Sequence, residues 1–179
     1  MEDDDSSEDA TLNLLIRSQT AVAEHRTGRA FVARTLRLNL DYFPHCIELP
    51  MPPLIAVDSV AYTDANGAAQ TVDSALYEVD IYSTPGKLRP VWGESWPSIG
   101  RGFNPVRITY QAGYLAPGSP QDLTDNSYLP PALRTWLSAR IATLYEQREQ
   151  LIIGTIVADL PRGHGDALLD ELILGERLF

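Results

Sequence analysis

Between Ala30 and Gly113 apolar residues recur at alternate positions, whereas on both sides of that stretch they recur every third or fourth. A period of two puts alternate side chains on one face of a strand, and spacings of three and four line one face of a helix. Strands must therefore be held between helices rather than alternate with them, which is an α+β arrangement. The clearest strand runs through Leu36, Leu38 and Leu40, with Arg37 and Asn39 between them. Val106, Ile108 and Tyr110 repeat the pattern. Cys46–Leu49, Ile55–Thr63, Gln70–Val72, Tyr77–Ile81 and Lys87–Pro90 complete the set of expected strands. The segment Asp64-Ala65-Asn66-Gly67 contains an Asn-Gly hairpin signal, and Pro85-Gly86 marks a second turn, so the connections read as antiparallel. Pro50, Pro52 and Pro53 form a stiff extended bridge that cannot lie in a central strand.

The flanks read as helices. The first is predicted from about Ser7 to Thr27, with Leu12, Leu15, Ile16, Gln19, Val22 and Ala23 on its inner face and Gly28 as its stop. Ahead of it lie Glu2, Asp3, Asp4, Asp5, Glu8 and Asp9, so residues 1–6 are expected to form a mobile acidic lead, with Ser6 and Asp9 as a capping pair. Pro131 opens a second helix, near 131–150, where its missing N–H costs nothing. Leu133, Trp136, Leu137, Ile141, Leu144 and Tyr145 make its stripe. Pro161 stops any helix in the apolar run that follows, and Gly163-His164-Gly165 forms a joint. A short helix from about Asp166 to Leu174 then presents Leu168, Leu169, Leu172 and Ile173. The chain is thus expected to be one domain: a small helical bundle, an inserted β-region at about 30–113, and a tail at about 161–179.

Charge narrows the function. The chain of 179 residues has a formal net charge of −10, with 24 acidic against 14 basic side chains. A protein that grips phosphates needs a basic face, so nucleic-acid reading is disfavoured. A negative wall along a passage for DNA is compatible with the same electrostatics, because it discourages sticking. The single cysteine, Cys46, excludes an internal disulfide framework, fits a reducing cytosol, and reads as a small buried hydrophobe. No stretch has transmembrane length and no signal peptide is evident, so a soluble, unexported protein is expected.

Chemistry-bearing motifs are sparse. His25, His45 and His164 lie far apart, without the spacing of a zinc site, and no cofactor or metal is expected. No nucleophile elbow, phosphate loop or dinucleotide fingerprint is present. Gly100-Arg101-Gly102 is too short and isolated to be an anion nest. In the segment VWGESWP, Glu94 sits between Trp92 and Trp96. It could act with Asp80 as an acid–base pair, or the aromatic set Trp92, Trp96, Tyr82 and Tyr114 could stack a carbohydrate ligand. The plainer reading is that both tryptophans anchor a loop to the sheet, with Glu94 exposed at its tip. That silence on chemistry favours a structural, non-enzymatic role.

Several blocks in fixed order carry a resemblance. They are a helix ending Thr27-Gly28-Arg29, then TLRLNLDYFP, IELPMPPLIAVDSVAYTDANG, YEVDIYSTPGKLRP, VWGESWP and VRITYQAGY, and a helix ending LYEQRE before IIGTIVADLP. Together they resemble the head–tail connector (adaptor, or head-completion) family of tailed bacteriophages, which includes the adaptors of gene transfer agents. The resemblance implies a virion structural protein in the neck. Such a protein would form a homo-oligomeric ring of about twelve subunits bound beneath the portal. It would extend the DNA channel without reading sequence and carry a stopper or tail-completion protein, without membrane contact. The host cytoplasm would be its site of assembly. Another neck or tail-completion protein of the same particle is the near alternative, and a carbohydrate-binding β-module the distant one. Leu15, Val22, Trp136, Ile141, Tyr145, Leu168, Leu172 and Phe179 are the expected interface residues. The acidic self-repulsion suggests a monomer in isolation.

Overall fold

The computed structural model describes residues 3–114, 128–146 and 167–173. The chain divides into two compact units, one of Met1–Gly28 with Gln121–Phe179 and one of Arg29–Pro120.

The second unit contains all seven strands found among the described residues. They are β1 (Arg34–Leu40), β2 (Ile47–Leu49), β3 (Leu54–Thr63), β4 (Ala69–Thr71), β5 (Tyr77–Asp80), β6 (Gly86–Pro90) and β7 (Val106–Ala112). β1, β7, β3 and β4 form one sheet in that order, and β2, β6 and β5 form another. All pairings are antiparallel, with Leu38 opposite Ile108, Val60 opposite Ile108, and Val79 opposite Leu88. Because the side chains alternate, Leu36, Leu38 and Leu40 share a face with Tyr110, Ile108 and Val106. That face shares one core with Ile47, Leu49 and Leu88 of the other sheet. Each fully buried Leu or Ile there contributes about 1.5–3 kcal/mol of transfer free energy. The opposite face of the four-stranded sheet is polar, and Gln111 donates to Asp58 across 2.6 Å.

The β3–β4 turn shows why the Asn-Gly signal is physical. Asp64 and Ala68 close a three-residue loop: the Asp64 N–H donates to the Ala68 carbonyl at 2.9 Å, and the Gly67 N–H to the Asp64 carbonyl at 2.9 Å. Gly67 has φ 84°, the left-handed conformation this loop requires. The Asp64 carboxylate accepts from the Asn66 and Ala68 N–H groups at 2.9 and 3.0 Å.

In the other unit, α1 (Asp3–Thr27) packs on α2 (Pro131–Glu146), and α3 (Ala167–Asp170) packs on both. Gly28, at φ 68°, ends α1 by donating its N–H to the Glu24 carbonyl. α1 begins at Asp3 rather than near Ser7. Carboxylates near a helix N-terminus interact favourably with its dipole, which suits the acidic run to the first turns. Ser6 therefore lies inside the helix and is not its cap. The inner stripe follows the expected one only in part. Leu12, Leu15, Gln19, Ala23 and Thr27 turn inward, while Ile16 and Val22 stay 44% and 39% exposed. No described helix is long and apolar enough to cross a membrane. The expected joint at Gly163-His164-Gly165, most of the 115–130 loop and the run before Pro161 lie outside the described residues.

Candidate functional site

Two open clefts border the β5–β6 hairpin. The first, about 340 Å³, is lined by Cys46, Glu78, Val79, Asp80, Lys87 and Arg89. The second, about 520 Å³, involves His45, Glu78, Arg89, Trp92 and Glu94 among others. Asp80 lines the first and Glu94 the second, so they do not converge as an acid–base pair would. Asp80 serves the backbone instead. Its carboxylate accepts from the Ser83 hydroxyl at 2.5 Å and from the Ser83 and Tyr82 N–H groups at 3.1 and 2.9 Å. Those bonds, the Ser83 hydroxyl first, hold its pKa below the ordinary 3.8. A general acid near neutral pH would need the opposite shift.

The outward face of this hairpin is a ladder of cross-strand charge pairs. Arg89 pairs with Glu78, and Lys87 lies 3.5 Å from Glu48. Such exposed pairs contribute about 0–1 kcal/mol each and leave little charge free for a ligand. Cys46 corrects its expected burial: it is exposed and free. β2 starts at Ile47, with Ile47 and Leu49 inward, so the alternation turns Cys46 out.

The two tryptophans of VWGESWP part company. Trp96 is half-buried, stacks on Phe43 at 4.7 Å between ring centroids, and donates its Nε1–H to the Pro44 carbonyl at 2.9 Å. Trp92, by contrast, is 101% exposed. It occupies a turn closed by the Glu94 N–H donating to the Val91 carbonyl at 3.0 Å, with Gly93 at φ 88°. Only one indole anchors the loop; the other is displayed. Tyr114 is likewise engaged, against Phe31 at 6.0 Å. Trp92 and Tyr82 lie beyond opposite ends of the β5–β6 hairpin, since Tyr77 pairs with Pro90 and Asp80 with Lys87. The four aromatic residues considered for carbohydrate stacking therefore form no common platform.

Gly100-Arg101-Gly102 offers no free nest, because the Gly100 N–H already donates to the Thr63 carbonyl at 2.8 Å. Among the described residues, no group of three or more His, Cys, Asp or Glu side chains could hold a metal ion.

Of the expected interface residues, Leu15, Val22, Trp136, Ile141, Tyr145 and Leu168 lie on the helices, and Leu172 follows α3. Trp136 is 1% exposed, hence core, with the Arg140 guanidinium 5.5 Å above its ring. Leu15, Ile141, Tyr145, Leu168 and Leu172 are half-buried, and Val22 is exposed. Phe179 lies outside the described residues.

No family model and no curated protein matches the chain. Solved structures do. A chain in the neck of an empty gene transfer agent particle, computed with C6 symmetry, superposes with TM-score 0.73 at 26% identity, over 97% of this chain and 82% of that one. A chain in the virion of a native gene transfer agent particle matches with TM-score 0.70 at 27% identity, over 93% and 78%. A third, in the neck of a native particle computed with C12 symmetry, matches with TM-score 0.69 at 26% identity, over 92% and 82%. The chain is thus similar over nearly its whole length to chains of gene transfer agent particles, two of them in the neck.

For a chain so similar to components of a particle neck, the informative surface is what a neighbour could cover. Sequence reasoning placed that surface on the helices and missed the loops of the β unit. There Phe103 is 95% exposed and Tyr42 67%. Both sit in segments without periodicity, and no pattern separates a displayed aromatic from a packed one in such a loop.

Proposed function

We propose that the protein is a structural, non-enzymatic component of a virion neck, forming the adaptor ring that binds beneath the portal. The observation that carries this reading is the extent of the likeness: 97% of the chain follows a chain of a gene transfer agent neck. The symmetries used for those necks, C6 and C12, suit a ring of repeated subunits. In this role the ring extends the DNA channel and presents a platform for a stopper or tail-completion protein.

The helical unit is assigned to the channel and to the portal, and the β unit to the outside or the tail side. Charge supports this assignment. Residues 29–120 hold seven of the 14 Lys and Arg and eight of the 24 Asp and Glu, for a net −1; the remaining residues hold seven and sixteen, for −9. A wall so acidic repels DNA phosphates and lets the duplex slide. Leu15, Val22, Ile141, Tyr145, Leu168, Leu172 and Phe179 are the proposed contact residues, with Trp136 supporting the helices from the core.

The test is the position and copy number of this chain in an electron-microscopy map of an assembled particle. A ring directly below the portal is the expected result. A ring lower in the neck would make it another neck or tail-completion protein, and absence from the neck would overturn the reading.

A further inference from the structure

The β unit displays large aromatic side chains at both ends. At one end, the Asn104 N–H donates to the Asp41 carboxylate at 2.9 Å, which ties together the loops carrying Phe103 and Tyr42. The Trp96–Phe43 stack and the bond to the Pro44 carbonyl draw the Trp92 segment to the same loops. Trp92, Phe103 and Tyr42 are 101%, 95% and 67% exposed. At the other end, past Asp80, lie Ile81 and Tyr82, 44% and 92% exposed. Both ends are built rather than loose. Gly93 at φ 88° fixes the turn that carries Trp92, and Asp80 holds the Tyr82–Ser83 backbone through its bonds to both N–H groups.

We propose that these two ends are the halves of a contact between copies of this chain, the Trp92–Phe103–Tyr42 end of one copy docking on the Ile81–Tyr82 end of the next. The proposal rests on the ring reading above and names its lateral contact. Charge selects the occupant. With −9 on residues 1–28 and 121–179 and −1 on residues 29–120, two copies approach at least electrostatic cost through their β units. Two different patches at opposite ends make a heterologous contact, which closes into a ring when its rotation permits. Exposed Trp and Tyr held on rigid backbone are the side chains that dominate such contacts, because they bury much area for little lost entropy.

The experiment places a photo-crosslinking benzoylphenylalanine at position 92 of the full chain. It is irradiated both in concentrated solution at high salt and in assembled necks, and the adducts are mapped by mass spectrometry. Adducts between two copies that map to residues 76–85 are expected in at least the necks. In the same high-salt solution, any self-association seen by sedimentation should weaken about tenfold or more in Trp92→Ala and be largely kept in Trp92→Phe. Adducts only to a different neck protein, or between copies but on residues 131–146, overturn the proposal while leaving the neck reading intact. Absence of the chain from necks overturns the neck reading, which the crosslink alone does not test. An unchanged self-association in Trp92→Ala also overturns the contact.

Discussion

The indole of Trp96 lies nearly parallel to the ring of Phe43, with centroids 4.7 Å apart and planes inclined by 9°. Across the same junction its Nε1–H donates to the Pro44 carbonyl at 2.9 Å. One side chain therefore fastens the long segment between β6 and β7 to the segment between β1 and β2, through an offset ring contact and a directional bond. Replacing it should loosen both. Trp96→Ala is expected to cost about 2–4 kcal/mol of unfolding free energy, and Trp96→Phe, which keeps a ring but leaves the carbonyl unpaired, about 1 kcal/mol. Trp92→Ala should stay within about 0.5 kcal/mol of the parent, because its side chain meets solvent. Urea titration of the three variants decides this, and equal losses at both tryptophans would contradict the division of roles.

Tyr110 gives the β unit an alkaline limit. It is 2% exposed and donates its hydroxyl to the Pro50 carbonyl at 2.9 Å, next to Met51, whose φ of 60° is in the left-handed region. Burial pushes its pKa up from 10.0 to about 12, opposed in part by Arg34. The folded chain then holds this proton more tightly than the unfolded one. Its contribution is complete below pH 10 and is lost as pH rises from there through about 12. Tyr110→Phe should lose the bond to Pro50 at neutral pH yet show a flatter decline above pH 10. Thermal unfolding across that range measures it, and parallel curves for the two proteins would refute the assignment.

Asp64 sets the matching acid response of the β3–β4 turn. The Gln70 side chain, donating at 3.0 Å, and the Ala68 N–H are the chief causes that hold its pKa below 3.8, against a smaller opposing effect of burial. A lowered pKa means the turn is fully supported above that ordinary value and loses support as pH falls below it. Amide exchange at Ala68, which depends on the Asp64 carboxylate, should accelerate on acidification before the strands open. Asp64→Asn should show fast exchange already at neutral pH and little further change.

Much of this architecture was legible because alternation is local. Leu36-Arg37-Leu38-Asn39-Leu40 reads as a half-buried strand from five letters, and β1 lies there. The Asn-Gly turn and the Gly28 stop are legible for the same reason, since each meets a backbone demand within a few residues. What was not legible depends on distant partners. Cys46 faces out because the core takes Ile47 and Leu49, and alternation leaves the residue before Ile47 on the other face with Glu48. The partition into two sheets rests on pairings such as Leu38 with Ile108, which no local period encodes. Trp92 and Trp96 look alike in the sequence, yet only Trp96 reaches Pro44, 52 residues away. The helical stripe failed more subtly. Leu12, Leu15, Gln19 and Ala23 face inward as expected, but Ile16 and Val22 stay exposed although apolar, and Thr27 joins the inner face.

Gly113 and Gly100 should tolerate no side chain. A Cβ on Gly113 would stand 2.5 Å from the Ala33 backbone, and its φ of 133° is itself unfavourable for L-residues. At Gly100 a Cβ would stand 2.4 Å from the Asp64 carbonyl oxygen. Since the obstacles are main chain, rotamer changes cannot relieve them. Either Gly→Ala change should cost about 2–3 kcal/mol, and Gly67→Ala, with open space around it, only the penalty of its left-handed backbone, about 1 kcal/mol. Melting temperatures in that order support the packing, and an unaffected Gly100→Ala would contradict it.

Assembly should depend on salt in the direction opposite to that of a nucleic-acid binder. Each copy carries −10, so every subunit added to a ring meets repulsion from those already in place. The repulsion is screened beyond about 10 Å at 0.1 M salt and reaches further at lower ionic strength. The isolated chain is therefore expected to remain monomeric at low salt and to associate as salt rises, or when portal rings hold the copies in register. Deleting residues 162–179, which carry Leu168, Leu172 and Phe179 of the proposed contacts, should abolish portal binding while leaving the β unit's unfolding transition in place. Sedimentation at several salt concentrations, with and without portal rings, separates these effects. Stable rings at low salt without portal would mean that apolar contact area outweighs the charge, and portal binding by the truncated chain would move that contact elsewhere on the helices.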